Sequence, residues 1–161
     1  MTQWIRSHRS DDDVRPLADR HYNRQKIGAK GFAPPGRCLV LTTVFHDAFW
    51  ITSFPFAEYV RHAWAGAYVC SAFRNESPIL SSELVREAVA CTRAEWDAPE
   101  PELGMITFVD PTKTRKKRDP GRCFIKAGFK HVGYTKGGLV ALQILPKDMP
   151  PASNHAWKEW Q

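Results

Sequence analysis

Arg122-Cys123-Phe124-Ile125-Lys126-Ala127-Gly128-Phe129-Lys130-His131-Val132-Gly133-Tyr134 is the stretch that decides the fold. It reads as a short helix closed by Gly128, because glycine takes the left-handed C-terminal conformation without steric cost. A strand begins at Phe129. After the Lys136-Gly137 turn, a second apolar strand runs from Gly138 to Leu145. Helix, glycine stop and two strands make an α/β corner, which many α/β proteins contain, so the flanking sequence must decide which kind this is.

Upstream, Met105 to Val109 reads as a short buried strand ended by Asp110-Pro111. A carboxylate at the C-terminal end of a central strand stands where open α/β sheets bind ligands. The competing reading of Asp110 is a turn cap ahead of proline. Lys113, Arg115, Lys116, Lys117 and Arg118 follow, five positive charges in six residues. Between a strand and a helix such a run points to phosphate contacts, with a solvated loop as the alternative. Residues 97–103 form an acidic, proline-rich linker. Before it, Leu84, Val85, Ala88, Val89 and Thr92 share one helical face that ends near Trp96, and Ser81 or Ser82 is the expected N-cap. Ala67 to Phe73 reads as a strand leading into Arg74-Asn75-Glu76-Ser77-Pro78. Strand, polar turn and helix N-terminus offer unpartnered amides to an anion or oxyanion; a plain serine cap is the alternative.

In the N-terminal half, Arg37 to Phe45 and Phe49 to Phe54 form a hairpin across His46-Asp47-Ala48, and Pro55 ends it. A basic loop over 23–36, with Arg24, Lys26 and Lys30, closes in Gly31-Phe32-Ala33-Pro34-Pro35-Gly36, too rich in glycine and proline for a regular element. Loops of this length in compact domains are often functional. Asp11 to Tyr22 reads as a helix capped by Asp12 or Asp13, with Pro16 confined to its first turn. Val14, Leu17, Ala18 and His21 share a face, so the polar pair His21-Tyr22 ends a core-facing stripe. A satisfied core histidine beside an amphipathic tyrosine is the competing reading. Trp4-Ile5 is a weak first strand, and the prolines with Trp157 and Trp160 make 146–161 a surface tail.

With 161 residues, 43% hydrophobic and 25% charged, the chain suits one domain with a real core. No run approaches the roughly 18 apolar residues of a membrane span. The N-terminal residues are too polar for a secretory signal, so a cytoplasmic location is expected. Cys38, Cys70, Cys91 and Cys123 are widely spaced in apolar contexts and read as buried free thiols; no Cys/His metal spacing occurs. A net charge of +6 favours an anionic partner, either nucleic acid or a phosphorylated cofactor.

The element order and the pattern of Phe124, Lys126, Ala127, Gly128-Phe129 and Gly133 together resemble the GNAT acyltransferase fold over nearly the whole chain. The resemblance implies a single α/β domain with a mixed, mostly antiparallel sheet flanked by helices. It implies an acyl donor, acetyl-coenzyme A or another activated acyl compound, held at Phe73 to Leu84 by Arg74, Asn75, Ser81 and Ser82. The strand at Met105 would splay from its neighbour to admit the donor's arm. Two departures matter. The donor loop, Arg-Asn-Glu-Ser-Pro-Ile-Leu-Ser-Ser, has no glycine, and Phe124 stands where the family commonly has a proton-donating tyrosine. Either the donor is handled differently, or it is not an ordinary acyl-coenzyme A.

His21-Tyr22, Arg74-Asn75-Glu76 with Ser81-Ser82, and Phe108-Val109-Asp110-Pro111 are similar to a narrower group, the phage Mom-type DNA-modification proteins. That resemblance implies double-stranded DNA as acceptor, carbamoylmethylation of adenine against restriction, a host-cytoplasmic setting and an iron ion proposed for the family. Modifying an exocyclic adenine amine requires proton removal and a held oxyanion, and the candidate roles are Asp110 as base or amine-orienting group, Ser81 with Ser82 at the oxyanion, His21 as proton relay and Tyr22 against the base. Arg24, Lys26, Lys30, Lys113, Arg115, Lys116, Lys117 and Arg118, with Phe32, would hold the DNA backbone while the base is flipped out. Two other functions remain open: a conventional N-acetyltransferase acting on a protein or small-molecule amine, and a non-enzymatic DNA-binding module on a degenerate scaffold.

Overall fold

The computed structural model describes residues 2–21, 26–113 and 121–157. Tyr22, Arg24, Arg115, Lys116, Lys117 and Arg118 lie outside them. The fold is α/β, and the described residues form one mixed and mostly antiparallel sheet of eight strands. In chain order the strands are β1 (Ile5–Arg6), β2 (Cys38–Thr42), β3 (Ala48–Ser53), β4 (Tyr68–Asn75), β5 (Met105–Val109), β6 (Lys130–Tyr134), β7 (Val140–Ile144) and β8 (Ala156–Trp157). The helices are α1 (Arg15–Asp19), α2 (Ser81–Glu95) and α3 (Arg122–Lys126). Across the sheet the order is β6-β7-β5-β4-β3-β2-β1-β8, and only β4–β5 and β1–β8 run parallel.

The corner at 122–129 folds as its residues dictate. Phe129 N–H donates to the Phe124 carbonyl and Gly128 N–H to the Ile125 carbonyl, both at 3.0 Å. This is a Schellman stop with Gly128 at φ +110°, and the rings of Phe124 and Phe129 close the apolar contact that accompanies it at 5.3 Å. At the other end of α3, Gly121 sits at φ +74°, and a Cβ there would lie 2.4 Å from Leu142 Cδ1.

Several boundaries differ from the sequence reading. α1 is only five residues long, because Asp11 to Val14 is a turn: Asp11 accepts from Ser7 Oγ (2.6 Å) and from Asp13 N (3.0 Å). Asp11 thus organises this start, rather than Asp12 or Asp13. The hairpin link is Thr43 to Asp47, where Thr43 Oγ1 donates to Asp47 Oδ1 and accepts the amides of Asp47 and Ala48. α2 begins at Ser81 with Leu80 in the cap position and no side-chain cap. The tail is partly built in: Met149 is buried, Arg93 donates to the Pro150 carbonyl, and β8 pairs with β1.

One face of the sheet packs on α2 and α3 in a continuous cluster including Trp4, Leu41, Trp50, Leu84, Val85, Ala88, Val89, Phe124 and Leu142. Its buried polar groups are paired in a chain: Trp50 Nε1 donates to Thr52 Oγ1 (2.6 Å), Thr52 meets Thr92 Oγ1 (2.8 Å), and Thr92 donates to the Ala88 carbonyl (2.9 Å). The other face carries two smaller clusters. One lies under α1, with Val14, Leu17, Ala18, Val40, Phe49 and Ile51. The other joins Ala67, Ile106 and Ala141 beneath Trp64 and Phe108.

Candidate functional site

The parallel strands β4 and β5 stay together for only three residue pairs, Tyr68↔Met105, Val69↔Ile106 and Cys70↔Thr107. Beyond them β4 continues with β3 as far as Asn75, while β5 continues with β7 as far as Val109. The strands therefore open into a gap, and local chemistry accounts for the place. The β3–β4 register shifts between Ile51 and Thr52, so that Ser71 is the extra residue between Cys70 and Ala72. A bulge bends its strand. At the same level Thr107 Oγ1 donates to the Cys70 carbonyl (3.1 Å), capping the last paired rung with a side chain.

A cleft opens on each side of this gap. The larger, about 660 Å³, lies on the α1 face between His21, Phe32, Pro34, Phe49, Phe108 and Asp110. The smaller, about 250 Å³, lies on the α2 and α3 face between Phe73, Asn75, Ser81, Val109, Gly121 and Phe124. Both are lined by His21, Cys70, Ser71, Ala72 and Phe108, so they meet at the gap.

The candidate residues distribute unevenly around it. His21 reaches both clefts and rests edge-on against Phe49 at 6.1 Å. Asp110 is at the mouth of the larger cleft, and its Oδ1 accepts from the amide (2.9 Å) and hydroxyl (2.7 Å) of Thr112. Those bonds, with Lys113 nearby, hold its carboxyl below the usual range. Asp110 thus caps a turn and also lines the cleft. Lys113 lines the same mouth, and Lys26 and Lys30 are exposed on the loop that leads to Gly31.

Asn75 and Ser81 face the smaller cleft together. Asn75 Nδ2 donates to the Ile79 carbonyl (2.7 Å) and to Ser81 Oγ (2.9 Å), while its Oδ1 accepts from Ser77 N and Oγ. Ile79 N in turn donates to Ser77 Oγ. One amide side chain therefore shapes a glycine-free loop, and two of the loop's own N–H groups are consumed internally. The amides of Ser81 and Ser82 precede the first intrahelical bonds, made by Glu83 and Leu84 to the Leu80 carbonyl. Ser82 lines neither cleft.

Arg74 lies apart from Asn75 and Ser81. It donates to Glu76 (2.6 Å) and to the Arg20 carbonyl (3.1 Å), while Arg20 grips Glu76 through two bonds of 2.9 Å. The two guanidiniums hold the Glu76 carboxyl down to about 2. The trio ties the end of α1, and so His21, to β4.

Phe124 is buried between Trp50, Phe73 and Phe129 and lines the smaller cleft, giving it an apolar wall with no hydroxyl at that position. Burial pushes the Cys70 thiol far up and the Cys123 thiol to about 11, so both line the smaller cleft as neutral thiols. Sequence reasoning passed over Ser71, and it quoted Phe108 only within the Phe108-Val109-Asp110-Pro111 motif, with no role of its own. The signal for Ser71 was a lone small hydroxyl inside the apolar run 68–73; Phe108 carried none beyond its aromaticity. Among the described residues no three His, Cys, Asp or Glu side chains converge as metal ligands, so they offer iron no donor set and no step here passes through it. No protein-family model, curated protein or solved structure matches the chain.

Proposed function

We propose that this chain is a DNA-modification transferase of the phage Mom type, which moves an acyl-derived group onto the exocyclic amine of adenine. The observation that carries the reading is the gap between β4 and β5, with a cleft on each side and His21 reaching both. Two clefts that meet at one proton-handling group let two ligands enter separately and react where they meet. The larger cleft, walled by Phe32, Phe49 and Phe108, suits a flat ring. The smaller, with Asn75, Ser81 and the first amides of α2, suits the donor's polar end.

The bound donor supplies an activated acyl carbon, whose bond to its leaving group breaks, the electron pair departing with that group, as the new C–N bond forms; the chain supplies position and proton handling. The adenine amine is a weak nucleophile because its lone pair is delocalised, so a proton must leave as the new bond forms. His21 takes that proton. Asp110, held as a carboxylate by Thr112, orients the amine hydrogens rather than serving as a strong base. Ser81 and the helix amides face the developing oxyanion. Tyr22 follows His21 in the chain and is assigned to the base. Arg74 acts by tethering α1 through Glu76. Lys113, Lys30 and Lys26, together with Arg24 and the run Arg115 to Arg118, hold phosphates.

The test is nucleoside mass spectrometry of plasmid DNA from cells expressing the protein. A new adenine adduct is expected; unmodified DNA alongside soluble, folded protein sinks the reading. A conventional acetyl-coenzyme A enzyme fits less well, because the donor loop spends the Ser77 and Ile79 amides on its own side chains. The observation favouring a non-enzymatic DNA-binding module is the wholly apolar Phe124 wall. That alternative expects Ser81→Ala and Asp110→Ala to leave the phenotype intact, and DNA binding to fall steeply with salt.

A further inference from the structure

The tip of the β2–β3 hairpin holds two apolar side chains out in solvent: Val44 is 65% exposed and Phe45 84%. The turn that presents them is stiff. His46 N–H donates to the Thr43 carbonyl (3.0 Å), His46 adopts φ +56°, and Thr43 and Asp47 lock the base of the turn. The turn is also bolted to the site, since Glu76 N–H donates to the Asp47 carbonyl (2.7 Å) and Glu76 is gripped by Arg20 and Arg74. Antiparallel pairing of β3 with β4 puts this tip on the same edge of the sheet as the open ends of β4 and β5. Two strand spacings, about 10 Å, separate it from the gap along that edge. On the far side of the gap the edge carries exposed Lys113 and, in the β6–β7 turn, exposed Lys136.

We infer that Phe45 is a wedge that enters the base stack of duplex DNA beside the target nucleotide and holds open the space the flipped base leaves. This rests on DNA being the acceptor. Three features favour duplex DNA over other occupants of the tip. The apolar surface is a narrow point rather than a flat face, which suits insertion between bases better than a protein interface. About 10 Å from tip to gap corresponds to about three base-pair rises of roughly 3.4 Å, so point and gap engage one stretch of duplex. The lysines across the gap complement the phosphates that flank an extruded nucleotide.

The experiment uses the whole protein and a set of duplex oligonucleotides carrying 2-aminopurine at successive purine positions, with the same strands unpaired as controls. Binding is followed by anisotropy and unstacking by 2-aminopurine fluorescence, so no donor is needed. The wild type is expected to raise the fluorescence of at least one duplex several-fold. Phe45→Ala should lose at least four-fifths of that rise, with single-strand affinity within twofold and an unchanged melting curve; Phe45→Trp should keep the rise. An undiminished rise in Phe45→Ala overturns the wedge. So does equal weakening on single and double strands, or a wild-type dimer that Phe45→Ala dissolves. Tight duplex binding without any fluorescence rise overturns the wedge but leaves the DNA reading standing. Binding to neither strand form removes the DNA reading itself.

Discussion

On the α2 and α3 face, Trp50, Leu84, Val89 and Leu142 belong to one unbroken cluster with its hydroxyls and indoles paired internally. On the opposite face the apolar residues fall into two clusters, and the larger cleft lies against both through Ala18, Phe49 and Phe108. The first face is where the fold gets its stability. The second leaves the rings of Phe32, Phe49 and Phe108 lining the cleft beside the gap. The short α1, tied down by Arg20 and Glu76 rather than by a long apolar stripe, is the price of that opening.

Equal truncations should separate the faces most clearly. Leu84→Ala, within the unbroken cluster, should cost about 3–4 kcal/mol of unfolding free energy by urea titration, and Leu17→Ala, on α1 beside the cleft, about 2 kcal/mol. Equal costs would break the comparison. Gly104→Ala probes the closed end of the β4–β5 pair, where Tyr68 N–H donates to the Gly104 carbonyl at 2.9 Å. A Cβ there would lie 2.0 Å from the Ile144 carbonyl oxygen, at φ +66°. The variant should lose about 3 kcal/mol or fail to fold, judged by the same titration.

Activity should respond the other way round. His21→Ala is expected to lower adenine modification about 100-fold with little change in melting temperature, and Asp110→Asn about tenfold. If Asp110→Asn proves the more damaging, proton removal belongs to the mouth of the cleft rather than to the gap. The smallest effect concerns the tether. Glu76→Gln should cost no more than about 1 kcal/mol, since the pair is partly solvated. Because folding depresses the Glu76 pKa, its contribution is present above the ordinary value of 4.5 and fades as pH falls to about 2. Wild type and variant should therefore converge in acid, measured by urea midpoints between pH 6 and pH 2.

Much of this architecture was legible in the residues. Gly128 after a short helical turn, the β-branched and aromatic runs either side of the hairpin link, and the stripe Leu84 to Thr92 each encode an element through local physics: φ freedom, strand propensity, period 3.6. Asp110-Pro111 likewise announced a strand end. Local pattern misjudged the caps. Ser81 looked like an N-cap, but Asn75, six residues earlier, claims its hydroxyl. Arg74 and Asn75 looked like one binding pair, yet neighbouring residues of a strand point to opposite faces, and Arg74 went to Glu76 and α1.

What the sequence determined by itself is most of the elements and their apolar faces, though not β8, because periodicity and turn chemistry act over a few residues while β8 forms only by pairing with β1. The corner from Arg122 to Tyr134 is the clearest case. What only the tertiary structure decided is the gap. It arises where a bulge at Ser71, a hydroxyl from Thr107 and two rival partners, β3 and β7, pull β4 and β5 apart. Those four segments are far apart in the chain, and only their packing brings His21, Asp110 and Ser81 around one opening.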